Sequence, residues 1–184
     1  MNTVEIIFSP TGGTEKAAHM ISGQWSESTV KIDLSDPSAA YSQYVINKDD
    51  QVLIAMPSFG GRAPAVAIER LKKITGNGAN CTIVCIYGNR AYEDTLVEME
   101  DAAKQCGFNV VAAVSAVAQH SIIPQYAANR PDASDEKQLA EFANRIAGKT
   151  EPVSSVPGNR PYKKAGGGGN AIKLSIWYLS SVWH

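Results

Sequence analysis

The stretch "IIFSPTGGTEKAAHMI", residues 6–21, changes character twice. Thr3 to Phe8 is a run of β-branched and aromatic residues with few charges, which reads as a buried strand. From Thr14 onward Ala18, Ile21 and Trp25 recur at i, i+3 and i+7, one face of a helix. Between the two lies Ser9-Pro10-Thr11-Gly12-Gly13-Thr14, rich in hydroxyls and glycine and free of acidic side chains. The first N–H groups of a helix have no partner within it and carry a partial positive charge, so this connection suits an anion.

The type of anion is narrowed by what is missing. There is no Gly-x-x-x-x-Gly-Lys-Ser/Thr, so no lysine is placed for a triphosphate. There is no Gly-x-Gly-x-x-Gly, so the pyrophosphate fingerprint of dinucleotide folds is lacking as well. Hydroxyls and amides without a nearby cation make a cradle for a single phosphate held by hydrogen bonds. The competing reading is an ordinary strand-to-helix loop with a threonine cap, because capping uses the same residues.

Working outward, "STVKIDL" (28–34) alternates as a strand with Val30, Ile32 and Leu34 on one face, and residues 35–50 read as irregular. "QVLIAM" (51–56) and "CTIVCIY" (81–87) are continuous apolar runs, as expected of strands covered on both faces, and "FNVVAAVSAVA" (108–118) is a fifth strand. Helices are predicted over 65–74, with Ala67, Leu71 and Ile74 on one side, and over 91–106, through Leu96, Met99 and Ala103. A last helix starts near Ser134, with Asp135 and Glu136 in its first turn, and ends at Gly148 and Pro152.

Strands alternating with helices give a parallel sheet with right-handed crossovers. Five of them fit an α/β, doubly wound sheet of order 2-1-3-4-5 flanked by helices. The chain divides into a domain over 1–150 and a linker with an apolar tail over 151–184.

The 184 residues leave room for one such domain, and 44% hydrophobic residues can fill its core. With 17 basic and 18 acidic residues the net charge is −1, which points away from nucleic acid and from an anionic membrane surface. Cys81, Cys85 and Cys106 form no C-x-x-C pair, and together with the lack of a signal peptide they predict reduced thiols and a cytoplasmic location. The histidines, His19, His120 and His184, show no metal-ligand spacing, so no metal site is expected.

In a sheet of this order the site lies beyond the carboxyl ends of the strands. The loops that converge there are residues 9–14, "PSFGGRAP" (57–64), "GNRAYED" (88–94) and "QHSIIPQY" (119–126). Phe59 and Tyr92 offer faces to a flat conjugated ring, and Gly60, Gly61 and Gly88 let the backbone approach it.

At these residues a family resemblance emerges. "FSPTGGTEKAA" resembles the flavodoxin phosphate loop, Ser/Thr-x-Thr-Gly-x-Thr. "MPSFGGRAP" followed by "YGNRAYEDTLVEME" looks especially like the flavodoxin domain of bacterial flavodoxin–ferredoxin fusion proteins, and the likeness covers about residues 1–164, including "VPGNRPYKK". It implies FMN, with its phosphate on Ser9, Thr11, Gly12, Gly13 and Thr14. The isoalloxazine would be held by a first loop of Pro57, Ser58, Phe59, Gly60, Gly61 and Arg62 and by a second of Tyr87, Gly88, Asn89, Arg90 and Tyr92. Tyr92 is similar in position to the tyrosine that flavodoxins stack on the ring, and Phe59 lies in the loop that supplies the opposite face. Asn89 and Glu93 would reach the ring edge or ribityl chain, Glu93 alternatively serving only the following helix; Arg62 and Arg90 would sit near the flavin or meet an acidic partner.

The chain departs from the family in two ways. Short-chain flavodoxins are usually acidic, whereas this chain is nearly neutral, and no C-x-x-C-x-x-C follows the "VPGNRPYKK" region, so no iron–sulfur cluster is encoded.

The function this implies is an electron carrier cycling FMN between oxidised, semiquinone and hydroquinone states, with no catalytic side chain. A redox protein such as a ferredoxin or a reductase would be its partner. The Gly60-Gly61 peptide could rotate to point a carbonyl at the flavin N5–H. The alternatives are an NAD(P)H-dependent FMN quinone reductase, with Arg62, Arg90 or His120 orienting a substrate, and an interaction protein that kept the fold without the cofactor.

The tail "AGGGGNAIKLSIWYLSSVWH" (165–184) places Ile172, Ile176, Leu179 and Trp183 on a helical stripe, while Ile172, Leu174, Ile176 and Tyr178 alternate equally well as a strand. It is too short to span a bilayer. It is expected to pack on its own domain or on a second copy of the chain, giving a homodimer; the second is favoured because the core closes without it.

Overall fold

In the computed structural model, which describes residues 2–164, the five runs become strands β1 (Thr3–Ile7), β2 (Thr29–Asp33), β3 (Gln51–Pro57), β4 (Asn80–Tyr87) and β5 (Asn109–Val117). All are parallel, in the order β2-β1-β3-β4-β5. Helices α1 (Gly13–Ser22), α2 (Ala65–Leu71), α3 (Thr95–Gln105) and α4 (Ala133–Ile146) connect or follow them. The tail assigned to 165–184, with its proposed dimer contact, lies outside the described residues.

The two faces of the sheet build two cores, and β3 shows how. Val52, Ile54 and Met56 join the core that includes Leu71 of α2 and Met99 of α3. Leu53 and Ala55 join the one that includes Ala18 and Ile21 of α1 and Leu139 and Ala143 of α4. Side chains alternate along a strand, so a run buried on both faces is apolar at most positions; β1 nevertheless buries Glu5, whose carboxylate accepts from Ser22 Oγ. Strand β2 is an edge, and Val30 is 53% exposed although Ile32 and Leu34 on the same face are buried.

Three boundaries differ from the sequence reading. Helix α2 stops at Leu71, yet Ile74 remains buried after an exposed turn at Lys72 and Lys73. Helix α3 starts at Thr95 rather than near 91, because Asn89 and Glu93 take positive φ values of 62° and 42°, incompatible with a helix. The linker expected from residue 151 is, as far as residue 164, an arm on the fold: Val153 donates to the Val110 carbonyl at 2.9 Å, and Val153 and Val156 are buried in the first core. Two valines spaced by three in a stretch of Pro, Ser and Gly carry no periodic signal.

Connections from β1 and β3 run to opposite sides of the sheet, so the chain parts above the ends of these two strands and leaves a crevice there.

Candidate functional site

A cavity of about 250 Å³ opens above that crevice. It is lined by Thr11, Gly13 and Thr14, by Pro57 to Gly60, by Ile86 to Gly88 and by Ala118 to Ile122. The four loops expected to converge do meet here, the loop after β5 included.

One end is built from unengaged N–H groups. Gly12, with φ 83°, occupies the N-cap of α1, and its lack of a side chain permits the left-handed turn that aims the helix start at the cavity. No side chain caps this helix by the usual bond; instead Ser9 Oγ accepts from Glu15 N–H at 3.0 Å, and the Ser9 N–H is tied to Ser35 Oγ at 3.0 Å. Among the described residues the N–H groups of Thr11, Gly13 and Thr14 donate to no protein acceptor. The threonine-cap alternative is therefore not what this loop does. The Thr11 and Thr14 hydroxyls and these three N–H groups stay available, and no lysine or arginine lines the cavity.

The other end is shaped by a tight turn. Phe59 and Arg62 exchange backbone hydrogen bonds of 2.9 and 3.3 Å across Gly60 and Gly61, whose φ values of 62° and 84° are the pair of left-handed conformations such a two-residue turn demands. The turn leaves the Phe59 ring 51% exposed beside the cavity. Gly61 C=O accepts from Asp94 N–H at 3.0 Å, while Gly60 C=O has no donor among the described residues. Ser58, below the turn, donates its N–H to Ile86 at 2.8 Å and accepts from Thr95 Oγ1 at 2.8 Å, joining the ends of β3 and β4.

Tyr92 is not at the cavity wall. It is 8% exposed and packs in the core, edge-on to Tyr87, which is the tyrosine that lines the cavity. Tyr92 belongs to the core that includes Leu71 of α2 and Leu96 and Met99 of α3. Burial raises the pKa of both phenols, which remain protonated donors at neutral pH.

Arg62 also faces away. It makes a two-pronged pair with Glu98 (2.8 and 2.7 Å), donates to the Lys163 carbonyl at 2.7 Å and lies 4.8 Å over the Tyr162 ring. The hydrogen bonds to Glu98 raise its pKa, partly opposed by burial. Glu93 pairs with Lys163, and Asn89 and Arg90 are exposed without lining the cavity. Gly88 does line it, packed so closely on His120 that a β-carbon would collide with the imidazole.

Of the residues singled out in the sequence, the structure thus gathers Thr11, Gly13, Thr14, Pro57, Ser58, Phe59, Gly60, Tyr87 and Gly88 around one space. Ser9 and Gly12 shape its loop from behind, and Gly61, Arg62, Asn89, Arg90, Tyr92 and Glu93 stand outside it. The expected loop after β5 adds Gln119 to Ile122, the candidate His120 among them, and Pro10 lines the cavity from the first loop. Ile86 and Ala118 read in the sequence only as strand residues, and their signal is position alone, at strand ends on the same side of the sheet. No group of His, Cys, Asp and Glu among the described residues could hold a metal, and no helix among them is long and apolar enough to cross a membrane.

No family model matches the chain, and no curated protein matches it by sequence. Solved structures do share the fold. The flavodoxin of Megasphaera elsdenii, solved in its two-electron reduced form, superposes with a TM-score of 0.52 at 18% identity, over 78% of this chain and 98% of that one. The flavodoxin of Streptococcus pneumonia TIGR4 gives 0.52 at 16% identity, covering 79% and 97%. The azoreductase AzrA gives 0.53 at 12% identity, covering 78% and 99%. The fold is flavodoxin-like, and its structural neighbours are flavodoxins and flavodoxin-like flavoproteins.

Proposed function

We propose that the chain binds FMN in this cavity and works as a flavodoxin-type electron carrier. The observation that carries the reading is the set of open N–H groups of Thr11, Gly13 and Thr14, flanked by two hydroxyls, at the start of α1. A phosphate monoester takes up such donors and the positive end of the helix together, without a cationic side chain. The half-exposed Phe59 ring and Tyr87 provide apolar surface for a flat ring within the same cavity.

FMN, when bound, supplies the electron-transfer chemistry. The protein's part is to bind, orient and shield. Thr11 and Thr14 would hold the phosphate, Ser58 ties the end of β3 to that of β4, and Gly60 C=O, which has no donor among the described residues, would accept a hydrogen bond from a ring N–H after a peptide rotation that glycine on both sides permits.

The carrier reading is preferred over an NAD(P)H-dependent reductase for two reasons. At about 250 Å³ the cavity is smaller than the roughly 300–1,000 Å³ of sites that enclose ligands, so a flavin would keep an edge in solvent where a protein partner can reach it. Arg62, one of the residues that could orient a substrate for a reductase, is engaged by Glu98 and stands outside the cavity. Such a partner would be a ferredoxin or a reductase.

The test is the absorbance spectrum of the purified chain, followed by kinetics. Oxidised-flavin bands together with electron exchange with a ferredoxin reductase support the carrier. Steady NADPH oxidation with a quinone would replace it by the reductase. Absence of any flavin after incubation with FMN would remove both.

A further inference from the structure

The arm that ends the described chain ties together the two loops on the ring side of the cavity. Asp94 is 1% exposed, and its carboxylate accepts three hydrogen bonds from the arm: Asn159 N–H at 2.8 Å, Asn159 Nδ2 at 3.1 Å and Lys163 N–H at 2.7 Å. Its own N–H reaches back to Gly61 C=O in the other loop. Arg62, from that second loop, holds the Lys163 carbonyl. The Lys163 ammonium then pairs with Glu93, whose carboxylate fills the space where a β-carbon on Gly61 would stand. Glu93 is thereby wedged between Gly61 and Lys163, with its backbone in a conformation that residues other than glycine rarely adopt.

We propose that Lys163 is a positioning residue for the candidate site: through Glu93 it clasps loop 88–94 against the Phe59–Arg62 turn and so fixes the gap that receives the ring of the ligand. The clasp rests on the FMN reading above. Glu93 is next to Tyr92, which supports Tyr87 at the cavity wall, so a displacement of Glu93 passes directly to that wall. The arm's own attachment does not need this ion pair. Arg160 binds Asp101 and Glu100, Tyr162 binds Asp101, and Asn159 binds Asp94. Removing the Lys163 charge therefore frees Glu93 while the arm stays in place.

The experiment uses the full chain loaded with FMN and, separately, with riboflavin, and follows release of each after dilution. Lys163→Met and Glu93→Gln are each expected to speed release about fivefold, the double variant no further, with the apoprotein melting temperature unchanged. The charge-swapped pair Lys163→Glu with Glu93→Lys should restore slow release, a rescue that loss of arm packing alone cannot give. Riboflavin should respond by the same factor as FMN, because the clasp acts at the ring and not at the phosphate. Unchanged release in the single variants, with wild type binding FMN normally, overturns the clasp alone. A fall in apoprotein melting temperature that the charge swap leaves uncorrected also overturns it, since the pair would then be structural. If wild type binds neither flavin, both the clasp and the FMN reading fall.

Discussion

The Tyr92 ring stands edge-on to the ring of Tyr87, with centroids 5.3 Å apart and planes at 67°. Tyr87 faces the cavity and Tyr92 backs it from the core, so the two tyrosines carry different burdens. Tyr92→Ala is expected to destabilise the fold by about 3–5 kcal/mol, the usual cost of removing a buried aromatic. Phe59→Ala, at an exposed position, should leave stability within about 0.5 kcal/mol and weaken FMN and riboflavin alike. Urea unfolding and flavin titration, run on both variants, check the contrast. Equal stability losses would show that Phe59 is structural.

The phosphate loop makes its own prediction. Thr11→Val and Thr14→Val each remove a hydroxyl beside the open N–H groups, and a hydrogen bond to a charged group contributes about 1.5–3 kcal/mol. FMN affinity should fall by that amount while riboflavin affinity barely changes. Fluorescence titration of the apoprotein with each ligand measures the difference. Equal losses for both ligands would mean that the loop holds no phosphate.

The strands were legible because β3, β4 and β5 are almost wholly apolar runs, which a parallel sheet covered on both faces imposes, and their order followed from the alternation of strands and helices. The phosphate end of the site was legible for a related reason: Ser9 to Thr14 are local in sequence and lie where a strand gives way to a helix. The ring end was not. Tyr92 lies between two residues of positive φ, Asn89 and Glu93, and at Glu93 nothing in the residue type announces that turn of the backbone. The arm was equally hidden, since its attachment depends on long-range hydrogen bonds from Asn159, Arg160 and Lys163 to acids on or beside α3. Cys81 and Cys85 lie on one face of β4, and both are buried.

Those thiols allow a direct check. Burial pushes Cys81 and Cys85 far above the ordinary thiol range and raises Cys106 to about 11. Only the thiolate reacts with alkylating agents, so at pH 8 the folded protein should show no label on Cys81 or Cys85 and slow labelling of Cys106. Peptide mass mapping over a time course reads this out. Rapid modification of Cys81 or Cys85 would show that the sheet opens locally in the native state.

The final prediction concerns acid. The Arg160 hydrogen bonds to Asp101 hold its carboxyl below the ordinary value, outweighing burial, with Tyr162 adding to the effect. For Asp94 burial acts upward, but the Lys163 and Asn159 hydrogen bonds together outweigh it and the net shift is also downward. A carboxylate whose folded pKa lies below its unfolded value of about 3.9 contributes its full stabilisation above that pH and loses it as pH falls through the folded value. The arm should therefore stay attached from neutral pH down to about pH 4 and loosen only below it. Thermal melts of wild type should show stability falling with acid in that window. Asp101→Asn removes one of the carboxylates that anchor the arm, so it should be less stable than wild type at neutral pH and lose less on acidification. A variant curve parallel to wild type below pH ~4 would show that Asp101 does not hold the arm through its charge.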